Sequence, residues 1–182
     1  VVFSWDRLSS SQRTAISSGA SATVGQQRTD YLRGDRSNES KMRLRSGVLG
    51  DIINSGVVYK GAPFNLKYDA DYTTFHNALR DRAGAVYAGA NDGMLHAFSA
   101  ESGEELFAYI PSFVVPDLYL LTLPDYKHHS YVDATPVVDE AKVGDEWKTV
   151  LVGGAGAGGQ GVYALDVTDP SKFGADNLIW EF

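Results

Sequence analysis

The sequence predicts a mainly β fold: about two four-stranded antiparallel blades of a β-propeller, behind a short helical N-terminal segment. Three observations carry this. Val86 to Ile110 reads as three short strands joined by two tight turns, Asn91-Asp92-Gly93 and Glu101-Ser102-Gly103-Glu104. Asn, Asp and Gly tolerate the positive φ that a hairpin turn demands. The plan then returns: Trp147 to Val152, a Gly-rich turn, Val162 to Val167, a break at Thr168-Asp169-Pro170, and Asn177 to Phe182. Each meander also has a leading strand. An Asp, a small hydroxyl residue and a Val-Val pair precede the first (Asp51, Ser55, Val57-Val58) and the second (Asp133, Thr135, Val137-Val138), about 80 residues apart. Four strands and then four strands again is radial β repetition.

This pattern divides the chain into a lead-in over 1–46 and a partial propeller over 47–182, with blade one at about 47–110, a connector at 111–132 and blade two at about 133–182. In the lead-in, Ser9 is the N-cap of a short helix stopped by Gly19, and Thr23 to Leu32 forms a second helix ending at Gly34. Lys41 to Arg45 alternates and predicts an edge strand or an entry into the sheet. Within blade one, Leu95 and Ala97 fall on one face and His96 and Phe98 on the other. Val86, Ala88, Leu95 and Ala97 are expected to be more buried than Asn91 and Glu101, and Trp5, Trp147 and Trp180 to be core residues. Gly61 to Ala83 is an insertion carrying a short helix around Tyr72 to Arg80. The connector is punctuated by Pro111, Pro116 and Pro124, with a helical turn at Asp117 to Leu121.

A chain of 182 residues, 43% of them apolar, is long enough to bury a core. A propeller closes with roughly four to eight blades, so two blades give the expectation of a piece of a longer protein. The absence of cysteine excludes thiol catalysis and Cys-ligated metal. Net charge is −7, but residues 1–45 hold 8 basic and 4 acidic side chains, which leaves the rest at 8 and 19, net −11. So acidic a body argues against nucleic acid as a partner.

Few motifs point to chemistry. Gly154 to Gly159 satisfies the G-x-G-x-x-G dinucleotide pattern, but Gln160 to Val167 after it is strand-like, and without a helix N-terminus no pyrophosphate is held. The glycines instead predict a tightly packed turn where side chains would clash. Asp69 and Asp71 share the spacing that opens a calcium loop, yet the Gly and terminal Glu of that loop are missing. Asp125, His128 and His129 lie close in sequence, though adjacent histidines at best share a site on a loop. No nucleophile–base arrangement is present, so no catalytic residue is assigned. Arg33-Gly34-Asp35 has two readings: an adhesive tripeptide whose cation and carboxylate a receptor reads, or a helix C-cap leading into a turn.

Tyr31 to Asp35, Arg45 to Ile52, Val86 to Phe98, Val150 to Gly154 and Gly161 to Pro170, in that order, resemble the PilC/PilY family of type IV pilus biogenesis and tip-adhesin proteins. The resemblance implies a C-terminal β-propeller, export to the outer membrane, cell surface or pilus tip, and association with minor pilins. It also implies roles in pilus assembly, adhesion and twitching motility, and offers host receptors such as integrins as partners for Arg33, Gly34 and Asp35. The family's Asp-rich calcium loop is not visible here: no cofactor is expected in this piece, and a full-length protein leaves room for calcium elsewhere. The meander also resembles the repeats of quinoprotein dehydrogenases, which makes a periplasmic quinoprotein the alternative. Ser99, Ser102 and Phe107 stand where those repeats carry Asp, Thr and Trp, and two blades cannot assemble an axial quinone pocket.

Overall fold

A computed structural model describes residues 2–64 and 69–182. Two four-stranded antiparallel sheets form its frame, each ordered as its strands occur in the chain. The first comprises β1 (Val58–Lys60), β2 (Ala85–Gly89), β3 (Leu95–Ser99) and β4 (Glu105–Tyr109). The second comprises β5 (Val137–Val143), β6 (Glu146–Gly154), β7 (Val162–Asp166) and β8 (Leu178–Glu181). Registers repeat between the sheets. Tyr87 pairs with Ala97 as Val152 pairs with Ala164, and the third and fourth strands slip register after Ala97 in one sheet and after Ala164 in the other. A bulge of this kind bends the strand and adds twist. Leu95 to Ser99 and Val162 to Asp166 thus occupy the same register in their sheets.

The leading strands lie side by side. Asn54 donates its amide N–H and side-chain N–H to the Asp133 carboxylate at 3.1 and 2.6 Å, and the Gly56 amide donates to Thr135 Oγ1 at 2.6 Å. Lys60 Nζ reaches Asp139 at 3.4 Å and Glu140 at 2.8 Å. The offset between these leading strands is 79 residues, and it aligns Asp133 with Asn54 rather than with Asp51. Between the sheets, Phe107 stacks on Phe173 with ring centres 3.8 Å apart, and Tyr109 packs on Tyr163 at 5.1 Å. Tyr109 Oη donates to Glu181 at 2.7 Å. The shared core gathers Tyr87, Leu95, Ala97, Leu151, Tyr163 and Leu165 among others.

Helix α1 (Ser10–Ser17) starts with a full capping box. Ser9 Oγ accepts from the Gln12 amide, and Gln12 Oε1 accepts from the Ser9 amide. Its left-handed cap is Ser18, one residue before the expected Gly19. Helix α2 is Ala22–Leu32, and α3 is Ala70–Leu79. Residues 65–68 of the blade-one insertion lie outside the described residues. Helix α1 packs on the connector, whose Ser112–Thr122 is a succession of 3-10 turns with Pro116 inside, and α2 packs chiefly on α1 and less on the connector.

Four expectations need correction. Asn91 is buried, because its side chain turns inward to hydrogen-bond with Asp51 and Tyr131. Trp180 is 36% exposed: it lies on the outer face of β8, in one row with Val137 and Val152. Trp5 and Trp147 are half-buried. Lys41 to Arg45 is no strand; the alternation instead places Arg43 over the Tyr126 ring at 4.0 Å and Arg45 over the Tyr31 ring at 3.6 Å. The inner strands also differ from expectation. β1 begins only at Val58, while β5 runs on to Val143 and turns tightly at Gly144-Asp145 into β6.

The outer face of the second sheet is apolar and open. Val137, Val152, Val162 and Phe182 are all exposed there, Phe182 by 79%. The matching row in the first sheet, Tyr87, Ala97 and Phe107, is buried against the second sheet.

Candidate functional site

The Arg33-Gly34-Asp35 turn is built by the end of α2. The Gly34 amide donates to Tyr31 O at 2.9 Å and the Asp35 amide to Asp30 O at 3.0 Å, the bond pair of a Schellman cap. Gly34 carries a φ of 104°, where a Cβ is strained. The two readings of this tripeptide are thus one geometry: the cap ends the helix and leaves the Arg33 and Asp35 side chains both exposed on either side of the glycine. The Asp35 carboxylate accepts from the Ser37 amide at 2.6 Å. Hydrogen bonds from Ser37 hold its carboxyl below the ordinary carboxylate range, so the anionic end stays ionised down to mildly acidic pH.

Behind the turn sits a second layer. Arg45 donates to Tyr31 O and Asp35 O, each at 2.8 Å, and to Glu39 at 2.9 Å. Arg36 grips Glu39 with a two-pronged pair at 3.1 and 3.0 Å. The Arg36 bonds, then those of Arg45, outweigh burial and hold the Glu39 carboxyl below its usual value. Tyr31 Oη donates to Arg43 O at 3.0 Å, so the loop after α2 is stitched to the helix that presents the turn.

A third layer connects the turn to the first sheet. The Val48 side chain is the nearest neighbour of the space beside Gly34, at 3.9 Å. Two residues on, the Gly50 amide donates to Asp92 Oδ2 at 2.7 Å. Asp92 lies in the β2–β3 turn, where Gly93 has a φ of 92°. Its neighbour Asn91 donates to Asp51 at 3.1 Å and accepts the Tyr131 amide at 3.1 Å. His96 on β3 is bracketed by two carboxylates: Nδ1 lies 2.6 Å from Glu105 and Nε2 lies 3.0 Å from Asp92. Between these layers and the second sheet runs a cleft of about 940 Å³, whose wall includes Arg33, Gly34, Val48, Asp92 and His96.

The remaining candidates do not converge on a site. Asp69 is the N-cap of α3, accepting from the Tyr72 amide at 2.7 Å, and Asp71 pairs with Lys142 at 3.3 Å. His128 pairs with Asp51 at 2.8 Å, while His129 meets the Tyr131 ring edge-on. Among the described residues no group of three or more His, Asp or Glu is arranged to hold a metal ion. In the glycine run, a 3-10 turn at Gly156–Gly158 leads into β7, with no helix N-terminus after it. A Cβ at Gly158 would lie 2.0 Å from Tyr131 O and one at Gly156 2.8 Å from the Ala134 amide nitrogen, so close packing is the role of these two glycines. The support behind the turn went unread in the sequence, since Asp92 and His96 look like hairpin residues until Gly50 and Glu105 are folded against them.

Comparison with known proteins agrees with this architecture. A family model described as the PilY1 beta-propeller domain matches residues 49–182. The type IV pilus biogenesis factor PilY1 of Pseudomonas aeruginosa strain PAK is 44% identical over 98% of this chain and 16% of its own length. A PilY1 homolog of Xylella fastidiosa is 44% identical over 89% of this chain and 14% of its own. The chain thus spans about one sixth of the length of the curated relatives it matches. The crystal structure of the P. aeruginosa PilY1 C-terminal domain superposes with a TM-score of 0.53 at 41% identity, covering 68% of this chain and 24% of that one. With a matched register in both sheets and a family match across most of its length, the chain belongs to the PilY1 β-propeller family.

Proposed function

We propose that this chain is a non-enzymatic part of a type IV pilus-associated surface protein, exported to the outer membrane, cell surface or pilus tip. There it acts with minor pilins in pilus assembly, adhesion and twitching motility, and it displays Arg33-Gly34-Asp35 to a receptor of the integrin type. One observation carries the adhesive part. The tripeptide sits on a left-handed cap with both charged side chains exposed and its backbone fixed by Arg45. A receptor that pairs the cation with one surface and the carboxylate with a metal needs both ends free and the spacing fixed in advance, which lowers the ordering cost of binding. The printed names of the relatives, type IV pilus biogenesis factors, support the pilus part.

The test is a substitution that the fold tolerates and a tight pocket does not. Asp35→Glu keeps the charge and adds one methylene at an exposed position. Binding to a purified integrin ectodomain that reads Arg-Gly-Asp is expected to fall roughly tenfold or more, the scale of one surplus methylene in a close-fitting site. Thermal unfolding is expected to stay within about 0.5 kcal/mol of the parent. Binding of the Asp35→Glu chain at parental strength removes the adhesive reading and leaves the cap alone.

A further inference from the structure

We infer that Asp92, His96 and Glu105 form a proton-operated latch that positions the Arg33-Gly34-Asp35 turn. This deepens the adhesive reading and rests on it for its biological meaning, though the latch itself is a property of the fold.

His96 is 5% exposed, and a carboxylate faces each of its ring nitrogens, Glu105 on Nδ1 and Asp92 on Nε2. A neutral imidazole has one N–H and one lone pair. It satisfies one carboxylate and turns a lone pair toward the other at hydrogen-bond distance, where both partners can only accept. The protonated ring has two N–H groups and satisfies both. Burial alone pushes the His96 pKa down, but the bonds and charges of Asp92 and then Glu105 outweigh it, so the net shift is upward. The proton is therefore bound more tightly in the fold than in the unfolded chain. The stabilisation it brings is complete below the ordinary histidine value and is lost as pH rises through the raised one.

The consequence reaches the turn through Asp92. This carboxylate accepts three N–H groups: His96 Nε2, the Met94 amide at 3.1 Å and the Gly50 amide at 2.7 Å. Loss of the ring proton leaves Asp92 or Glu105 facing a lone pair. Glu105 is half-exposed and can swing into water. Asp92 is more confined and moves only together with Gly50, and Gly50 carries Val48, which lies over Gly34. A Cβ on Gly50 would come within 2.4 Å of the Asp92 amide, so this contact has no slack. Other charged groups reach the same cleft: Arg7 and Arg33 from the lead-in and Glu181 from β8. Phe98 stacks beside the ring at 5.8 Å and is neutral.

The experiment is an NMR titration of the 182-residue chain from mildly acidic to alkaline pH, monitoring the His96 ring carbon and the amides of Gly50 and Gly34. All three are expected to shift with one midpoint, above that of an unperturbed histidine. In Glu105→Gln, which leaves a single carboxylate on the ring, the midpoint is expected to fall, and the Gly50 and Gly34 shifts to fall with it. In His96→Gln the step at both glycines is expected to vanish. A Gly34 amide that ignores the His96 midpoint in the parent and in Glu105→Gln overturns the latch, and so does a step that persists in His96→Gln. Integrin binding is the second arm. Expressed as the ratio of parent to His96→Gln, it is expected to drop across the same midpoint. A parent that binds no integrin at any pH fails the adhesive reading, while the latch is still judged on Gly34.

Discussion

The turn between the second and third strands has the same task in both sheets and is built in opposite ways. In the first sheet, Asn91-Asp92-Gly93 reaches out with side chains: Asn91 accepts the Tyr131 amide, and Asp92 takes the Gly50 amide. In the second, Ala155 to Gly161 holds the same stretch of chain with bare backbone. The Asp133 amide donates to Ala155 O at 3.1 Å, and Gly158 leaves no room against Tyr131 O. Residues 131–134 are thereby clamped between two turns, one polar and one made of glycine. The difference teaches that a repeated blade preserves register and contact while leaving the chemistry of the contact free.

The largest way to break this comparison is to give the bare turn a side chain. Gly158→Ala places a carbon against backbone on both sides of the contact, and neither side has a rotamer to yield. A loss of about 3 kcal/mol is expected, the upper end for overpacking, measured by urea unfolding. A loss under about 1 kcal/mol means that the glycine turn is looser than its backbone contacts imply.

Next in size is the polar turn. Asn91→Ala removes the acceptor for a buried backbone N–H and leaves that group unpaired, at about 1–3 kcal/mol. Asn91→Asp keeps the acceptor for Tyr131 but turns a carboxylate toward Asp51, so its loss is expected to ease as pH falls and the pair protonates. Equal losses for Asn91→Asp at neutral and acidic pH sink the assignment of Asn91 as the donor to Asp51.

The smallest expected effect sharpens the comparison between the two sheet faces. Phe182→Ser, on the open face, is expected to change unfolding by no more than about 0.5 kcal/mol. It is also expected to reduce self-association in sedimentation, because it shrinks an exposed apolar patch. A large stability loss there means that the face is already covered within this chain.

Most of the frame was legible because strand alternation and turn chemistry are local. Val86 to Ile110 and Val162 to Phe182 declare their strands within a few residues, and Ser9 declares a cap. What escaped was whatever a distant partner decides. Asn91 reads as a turn tip until Tyr131 and Asp51 arrive. Trp180 reads as core until the row beside it proves to face outward. Lys41 to Arg45 alternates because two arginines seek tyrosine rings, and alternation alone cannot tell a ring from a neighbouring strand. The exposed tripeptide was legible as a motif, while its support through Arg45, Val48 and Asp92 was not, since those contacts join residues that neither helix nor strand periodicity links.

The 79-residue offset between the paired leading strands also sets an order of events in time. The hairpins around Asn91-Asp92-Gly93 and Gly144-Asp145 close loops of a few residues, on a scale of microseconds. The Asn54–Asp133 bridge joins the ends of a segment about four doublings longer, at about 0.6 kcal/mol of closure entropy per doubling, or about 2.4 kcal/mol in all. Each sheet therefore assembles before the seam between them. Chain emerging from synthesis carries a finished first sheet whose Phe107 and Tyr109 stay bare until Tyr163 and Phe173 arrive.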